Sequence, residues 1–445
     1  MTQVNRYRIA SAVATALLCS AVATAADTPP VTAAATPAAT PAATPAAAPA
    51  AAPAAAANTP GTPAPNDFES ALINGKAHID FRYRFETVDQ DGFADDAYAS
   101  TLRTRLNYLT GDWHGFTAFA EAANVSILGQ YDLYNSTANG VTDRPVVADP
   151  RYTEVNQSWI QFKRGAFTAI GGRQNIVLDN QRFVGPVAWR QNEQTYDAGT
   201  LKLGSLPRTQ LFYSYVGRVN RVTGPDDGVF PGNFDSNSHL LNAKVDLGAF
   251  GAVTLFSYLL DFDNSLANSS NSYGFYYTGN YKFSDTTKLD WAGSYAEQSD
   301  YGDNPTDYTA DYYMLQAGLG IRNYGLKVGY EVLGGNTRPL SSFQTPLATL
   351  HVFQGWADKF LVTPRLGVED FYVGASANFG SLALQLMWHD FQAEAAGDDY
   401  GSEWDASAGY KFGTRYEVLA KYANYMADGF ATDTTKFWIQ LSAAF

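Results

Sequence analysis

The sequence predicts an all-β protein, a transmembrane antiparallel β-barrel of 18 strands preceded by a disordered segment rich in alanine and proline. Segments of about 10–13 residues with alternating apolar and polar side chains recur from Asn66 to the C-terminus, which is the pattern of barrel strands. The gaps between these segments alternate between tight turns and longer, polar loops. The last segment ends in an aromatic residue, Phe445.

The N-terminal residues 1–25 have the three parts of a secretory signal peptide. Arg6 and Arg8 precede an apolar run, 9–22, and the small residues of 23–25 provide a cleavage motif. The run is shorter than the roughly 18 apolar residues that a membrane-spanning helix needs, and no other segment reaches that length. We therefore expect an exported chain that does not cross a membrane as a helix.

Residues 26–66 consist almost entirely of alanine, proline and threonine, with the repeat Ala-Ala-Thr-Pro. Proline at short intervals prevents a stable helix, and no side chain there is large enough to build a core. We predict a disordered periplasmic tether. Cys19, the only cysteine, lies in the predicted signal peptide, so we expect no disulfide in the mature chain.

The composition excludes several classes of function. The formal charge is −14 and becomes −16 when Arg6 and Arg8 leave with the signal peptide, and so acidic a chain repels nucleic acid. Aromatic residues make up 14% of the chain, which suits the aromatic girdles of a membrane barrel. The histidines lack metal-binding spacing and no Gly-x-Ser-x-Gly motif occurs, so we expect no cofactor, metal or enzyme activity.

Residues 67–445 are predicted to form the barrel. In the first segment Ile79 and Phe81 share one face, while Arg82 and Arg84 share the other, so the apolar face meets lipid and the charged face lines the lumen. The predicted strands are 75–88, 99–111, 115–127, 153–164, 166–175, 193–203, 208–219, 238–248, 251–263, 272–284, 287–299, 310–322, 325–337, 368–379, 381–393, 402–413, 415–427 and 434–445.

The gaps predict the orientation of the barrel. Tight gaps such as Gly165 and Gly380 alternate with long ones such as 128–152 and 338–367, and outer-membrane barrels have short periplasmic turns and long extracellular loops. An even strand number then leaves both termini in the periplasm. The expected location is the outer membrane of a Gram-negative cell, in contact with its lipid and lipopolysaccharide. The strand ending in Phe445 resembles the signal that barrels present to their insertion machinery.

A net basic stretch of the lumen wall is predicted where the last strand pairs with the first. It is either a ladder of salt bridges that stiffens the barrel or a binding track for anions, because arginine forks match carboxylates. Its basic residues are Arg82, Arg84, Arg103, Arg105, Lys411, Lys421 and Lys436, among Asp80, Glu86, Asp405 and Glu417. The same parity argument places Arg218, Lys244, Lys282, Lys288, Arg322 and Lys327 in the lumen, with Asp246, Asp290 and Glu331.

One long loop with its strand ends, 172–197, combines three arginines and several amides with Phe183 and Trp189. A solvent-exposed loop rarely contains aromatic residues in this way, so we expect this one to fold inward and narrow the pore. The segments Gly172-Arg173-Gln174, 179–185 and 189–197, together with 355–360 and 367–375, resemble the alginate export family of outer-membrane proteins.

The resemblance covers roughly residues 70–445 and implies a monomeric 18-stranded barrel whose arginine-rich constriction lets an anionic polyuronate leave the cell. As constriction residues it implies Arg173, Asp179, Arg182, Arg190 and Asp197. The expected function is a passive channel for anionic or polar solutes, including an acidic polysaccharide such as alginate. Two alternatives stay open: a general diffusion porin without anion preference, and a barrel whose loops act as an adhesin or enzyme. The acidic loop residues Asp89, Asp91, Asp95 and Asp96, and the pair Asp226 and Asp227, are interpreted as solvated loops rather than as calcium sites.

Overall fold

The computed structural model describes residues 67–225, 228 and 230–445. The predicted signal peptide and tether, and the pair Asp226 and Asp227, lie outside the described residues. Among the described residues there is no helix with the length and hydropathy needed to cross a membrane.

Helix α1 spans Phe68–Ile73, and single-turn 3-10 helices lie at Gly248–Phe250, Leu266–Asn268 and Leu350–Val352. The strands are β1 (Lys76–Gln90), β2 (Ala97–Leu109), β3 (Phe116–Ile127), β4 (Tyr152–Arg164), β5 (Phe167–Gln174), β6 (Thr195–Leu206), β7 (Thr209–Asn220), β8 (Asn233–Asp246), β9 (Ala252–Leu260), β10 (Ser270–Ser284), β11 (Thr287–Asp300), β12 (Thr309–Ile321), β13 (Tyr324–Leu333), β14 (Gly335–Thr337), β15 (Leu340–Ser342), β16 (Val368–Phe379), β17 (Leu382–Gln392), β18 (Asp399–Phe412), β19 (Tyr416–Ala427) and β20 (Thr434–Ala444).

Eighteen strands of the described chain form one closed antiparallel barrel. Each pairs with its neighbours in sequence, and β20 returns to pair with β1 in a register that places Ser442 opposite Arg82. Closure leaves no strand edge with unpaired backbone groups, which a lipid environment requires. The short strands β14 and β15 form a separate hairpin within the connection from β13 to β16. The predicted 18-stranded antiparallel barrel is confirmed.

Side chains alternate between the lumen and the outer wall along each strand. On β1, Arg82 and Arg84 face the lumen and are buried. On other strands, large apolar side chains such as Leu106, Leu315 and Leu441 face outward and are exposed. Because lipid chains surround the wall of a membrane barrel, exposure of these side chains is the expected arrangement.

The two ends of the barrel differ in the length of their connections. At one end, here called the short-turn end, Gly165 joins β4 to β5 and Gly380 joins β16 to β17, with φ angles of 60° and 62°. Glycine is favoured in such turns because other residues are strained at positive φ. The opposite end, here called the long-loop end, has connections that include 128–151 and 334–367.

Loops from the long-loop end fold into the barrel and build its core. Loop A (128–151), loop B (175–194) and loop C (334–367) contribute buried apolar residues. Val184 of loop B forms a parallel β-bridge with Leu347 of loop C, and both side chains are buried. Loop B therefore folds inward, as its aromatic residues predict.

Candidate functional site in the lumen

Two arginines of β1 hold the backbone of loop B against the lumen wall. Arg82 Nη1 donates to the carbonyl oxygens of Ala188, Trp189 and Arg190 at 3.1, 3.2 and 3.2 Å. Arg84 Nη2 donates to the carbonyl oxygen of Trp189 at 2.5 Å, and its guanidinium lies 4.0 Å from the centre of the Trp189 ring. Because both arginines are buried, these charge-assisted bonds fix the loop in the pore.

Two arginines of β2 extend this wall. Arg105 Nη1 pairs with Glu193 Oε1 of loop B at 2.5 Å, and Arg103 Nη2 pairs with Asp80 Oδ1 at 2.8 Å. Burial raises the pKa of Glu193, but Arg105 and Arg103 outweigh burial and lower that pKa to about 2, so Glu193 is ionised. Nε and Nη1 of Arg103 and Nη2 of Arg105 have no hydrogen-bond partner among the residues that the structure describes. Buried N–H groups of this kind need an acceptor, and an anion would supply one.

Arg182 joins loop B to loop C and to the barrel wall. Its Nε lies 2.7 Å from Glu331 Oε1 on β13. Nη1 donates to Thr345 Oγ1 at 2.9 Å and Nη2 donates to Gln354 Oε1 at 3.1 Å. Arg182 and Glu331 are 1% and 3% exposed, so water screens the Coulomb attraction between them less than in a surface ion pair.

Arg190 makes a second junction between the loops and the wall. Its Nη1 lies 3.2 Å from Glu86 Oε2 of β1, and its Nη2 lies 3.0 Å from Asp358 Oδ2 of loop C. Lys436 Nζ of β20 is 2.8 Å from the same Asp358 oxygen. Burial opposes ionisation of Asp358, but Lys436 and His351 hold its pKa well below the usual range. The carboxylate is therefore charged and joins loop B, loop C and β20.

Lys421 of β19 lies among aromatic rings from both loops. Its Nζ is 3.7 Å from the ring centre of Trp356, 4.0 Å from that of Trp189 and 5.4 Å from that of Trp438. It also lies 2.7 Å from Nε2 of His351. Cation–π contacts with three rings hold this ammonium group in a desolvated position, where it contacts loops and not the open lumen.

Acidic residues of the lumen complete the attachment of the loops, and two of them, Glu403 and Asp149, were not among the predicted site residues. Glu403 Oε1 accepts the amide N–H of Ala357 at 2.7 Å, and Asp405 Oδ2 accepts that of Trp356 at 3.2 Å. In loop A, Asp149 Oδ1 accepts the amide N–H of Gln191 at 2.8 Å. Glu403 could have been found by parity, because it shares a face with Asp405. The inward position of Asp149 could not be predicted from the sequence, because loop A has no alternating pattern of polar and apolar residues.

Arg173, Asp197 and Arg218 face outward and not into the lumen as predicted. Arg173 pairs in register with Asp197, and Asp197 pairs with Arg218, while Tyr196 and Ala198 on either side of Asp197 are buried on the inner face. Arg173 Nε lies 2.7 Å from Asp197 Oδ1. The motif that suggested Arg173 and Asp197 does not fix the strand register, which decides the face. For Arg218 the reason is a bulge after Val216, which reverses the alternation.

Arg322, also predicted to face the lumen, lies instead in the turn from β12 to β13, with a φ of 53°. The remaining predicted residues lie in the lumen. Asp179 of loop B accepts Nδ2 of Asn242 at 2.9 Å, and Lys411 lies near the short-turn end, in register with Glu417. In the described ranges, no group of three or more His, Cys, Asp or Glu residues could hold a metal ion. Several lysines face the lumen in the short-turn half of the barrel. They include Lys163, Lys202, Lys244, Lys282, Lys288, Lys327 and Lys411.

Comparisons with known proteins agree with this architecture. Pseudomonas aeruginosa OccK9 (OpdG) is similar in structure with a TM-score of 0.67 and 13% identity, over 85% of this chain and 100% of that one. Acinetobacter baumannii OccAB2 gives 0.65 and 16%, over 84% and 99%. Pseudomonas aeruginosa OpdK, solved with vanillate, gives 0.64 and 13%, over 84% and 99%. At these identities the likeness shows the fold.

The sequence comparisons identify the family. No curated protein sequence matches the chain. The family described as alginate export matches residues 76–332, which is more than half of the chain. The chain therefore belongs to the alginate export family and is an outer-membrane channel for the passive passage of solutes.

Proposed function

We propose that this channel conducts anionic solutes, with a polyuronate such as alginate as the cargo. The observation that carries the proposal is the set of lysines that face the lumen in the short-turn half, because most basic residues of the constriction are already paired with acidic ones. The proposed constriction is formed by loops B and C against the basic wall, and its residues are Arg82, Arg84, Arg103, Arg105, Asp179, Arg182, Arg190, Lys421 and Lys436.

An anion would meet exposed lysines before it reached the constriction. Lys282 and Lys288 are opposite each other on β10 and β11, and like charges in that position repel. Asp290 offsets part of this charge, since its Oδ1 lies 2.5 Å from Lys288 Nζ. An anion in the lumen would offset the rest. Beyond the lysines, the unpartnered N–H groups of Arg103 and Arg105 suit a carboxylate.

The charges differ between the two ends of the barrel. Acidic residues such as Asp91, Asp96 and Asp303 lie in the long-loop connections, whereas lysines line the lumen of the short-turn half. We infer that the short-turn end and both termini are periplasmic, as is general for outer-membrane barrels. Anions would then be attracted from the periplasm and repelled outside, because charge alters the local concentration of ions. In a passive channel this eases the entry of anions from the periplasmic side, while the concentration gradient sets the direction of net passage.

Passage of small carboxylates is the second candidate. Loops B and C fill the long-loop half of the lumen so closely that Tyr196 and Phe343 are completely buried, and a narrow passage suits a small solute better than a polymer. The likeness to OpdK, whose structure contains vanillate, agrees with this candidate. Block by uronate monomers and by uronate oligomers distinguishes the two candidate cargoes, because a channel for a polymer binds several sugar units of one molecule at once.

The test is single-channel recording in a planar bilayer under a salt gradient. We expect a reversal potential of anion-selective sign and block by oligouronates that is stronger from the short-turn side. Lys163→Gln, which removes a lumen-facing charge at that end, should reduce anion selectivity, with a larger reduction at low salt because screening is weaker there.

The matched control is Arg164→Gln. Arg164 is adjacent in sequence but lies on the outward face of β4, so its loss should leave selectivity unchanged. A cation-selective channel that ignores uronates would contradict the proposal and would favour a general diffusion porin. Block by uronate monomers but not by oligomers would favour the second candidate.

A further inference from the structure

Helix α1 lies against the outer wall of the barrel at the short-turn end. The amide N–H of Gly111, in the turn from β2 to β3, donates to the carbonyl oxygen of Ala71 at 2.8 Å. The hydroxyl of Tyr108 donates to the carbonyl oxygen of Leu72. Tyr108 and Leu106 lie on the same, lipid-facing side of β2. The helix is therefore attached beside the wall and not across the pore.

Apolar side chains of α1 continue the lipid-facing surface of the barrel. Phe68, Leu72 and Ile73 are 58%, 44% and 71% exposed. Phe68 packs edge-to-face on Trp113 with ring centres 5.5 Å apart. Trp113 in turn lies 6.2 Å from Phe116, an outward residue at the start of β3. These ring contacts join α1 to the outer wall, and a Trp among exposed apolar side chains is typical of the membrane–water interface.

We propose that α1 is an interfacial anchor whose partner is the phospholipid of the leaflet at the short-turn end. The argument for this partner is continuity, because the exposed face of α1 extends the surface that already contacts lipid. A helix of six residues is not stable alone in water. Here the Asp67 side chain caps it through the amide N–H of Ser70 at 2.7 Å, and the bonds to Gly111 and Tyr108 hold it on the wall.

The anchor is tested in the full-length protein, reconstituted into phosphatidylethanolamine vesicles. A fluorophore is attached to Ile73→Cys in a chain that also carries Cys19→Ser, and spin-labelled lipids quench it at defined depths. We expect headgroup-level quenchers to act about threefold more strongly at this position than at Thr286→Cys, because an interfacial residue lies at headgroup depth. Thr286 belongs to another short turn and is polar and exposed.

Two further variants complete the test. Leu106→Cys, in the middle of the outer wall, should respond most to quenchers deep in the acyl region. Trp113→Ala should reduce quenching at position 73 while the barrel keeps its heat-modifiable folded form on gels. Equal quenching at positions 73 and 286 would overturn the proposal. Unchanged quenching in the Trp113→Ala variant would overturn the continuity on which it rests.

Discussion

At the residue scale, the constriction depends on buried arginines with directed bonds. Arg182 extends from loop B to Glu331 on β13 and to Thr345 and Gln354 in loop C. Lysine at this position would keep the positive charge but could not make the three hydrogen bonds in their three directions, because only a guanidinium group presents a planar fork of donors. Removing one partner of a buried ion pair costs roughly 3–5 kcal/mol, because the other charge stays buried and unpaired.

We expect Arg182→Ala to loosen loops B and C inside a barrel that stays folded. The carboxylate of Glu331 would lose its charged partner and draw water between the loops, so single-channel conductance should rise and become noisier. Adding Glu331→Gln should restore part of the wild-type behaviour, because it removes the unpaired charge. The control is Arg218→Ala, which affects an exposed outward pair with Asp235 and should change neither conductance nor noise. Wild-type conductance in the Arg182→Ala variant would show that this residue does not hold the constriction.

At the element scale, strands were predictable and loop positions were not. Strand residues alternate with period two and each strand pairs with its neighbour in sequence, so local patterns contain the necessary information. Loops A and C have no period, and for loop B the indication was the aromatic pair Phe183 and Trp189. The face of Arg173 depends on register across β4, β5 and β6, which is a property of three strands and not of a motif.

Replacing residues 344–361 of loop C with a short Gly/Ser linker should open the lumen without unfolding the barrel. The barrel strands are joined by their own backbone hydrogen bonds, whereas loop C is held by side chains such as Glu403 and Asp405. We expect higher conductance and an unchanged heat-modifiable form. A linker in place of residues 301–307, in the connection from β11 to β12, is the control and should alter conductance little. Loss of the folded form in the loop C variant would show that the loop core supports the barrel.

At the scale of the whole molecule, the final residue is part of the seam that closes the barrel. The amide N–H of Phe445 donates to the carbonyl oxygen of Ile79 at 2.9 Å, and the amide N–H of Ile79 donates back at 3.1 Å. The Phe445 ring faces outward, 5.9 Å from Tyr416, with the guanidinium of Arg415 5.5 Å from its centre. The residue therefore contributes to closure through its backbone and to the lipid interface through its ring.

Phe445→Asp tests whether the ring also serves recognition by the barrel-insertion machinery. A carboxylate near the membrane interface costs little stability, about 0–1 kcal/mol, and the backbone bonds to Ile79 need no particular side chain. If the ring is a recognition signal, we therefore expect the variant to lose most of its insertion in cells. The purified variant should still fold normally into lipid vesicles. Phe250→Asp is the matched control, since Phe250 is 76% exposed in another short turn at the same end of the barrel and lies far from the C-terminus in sequence. Equal insertion defects in both variants would contradict a role of Phe445 in recognition, because the loss of any aromatic residue from the lipid interface would then explain the defect.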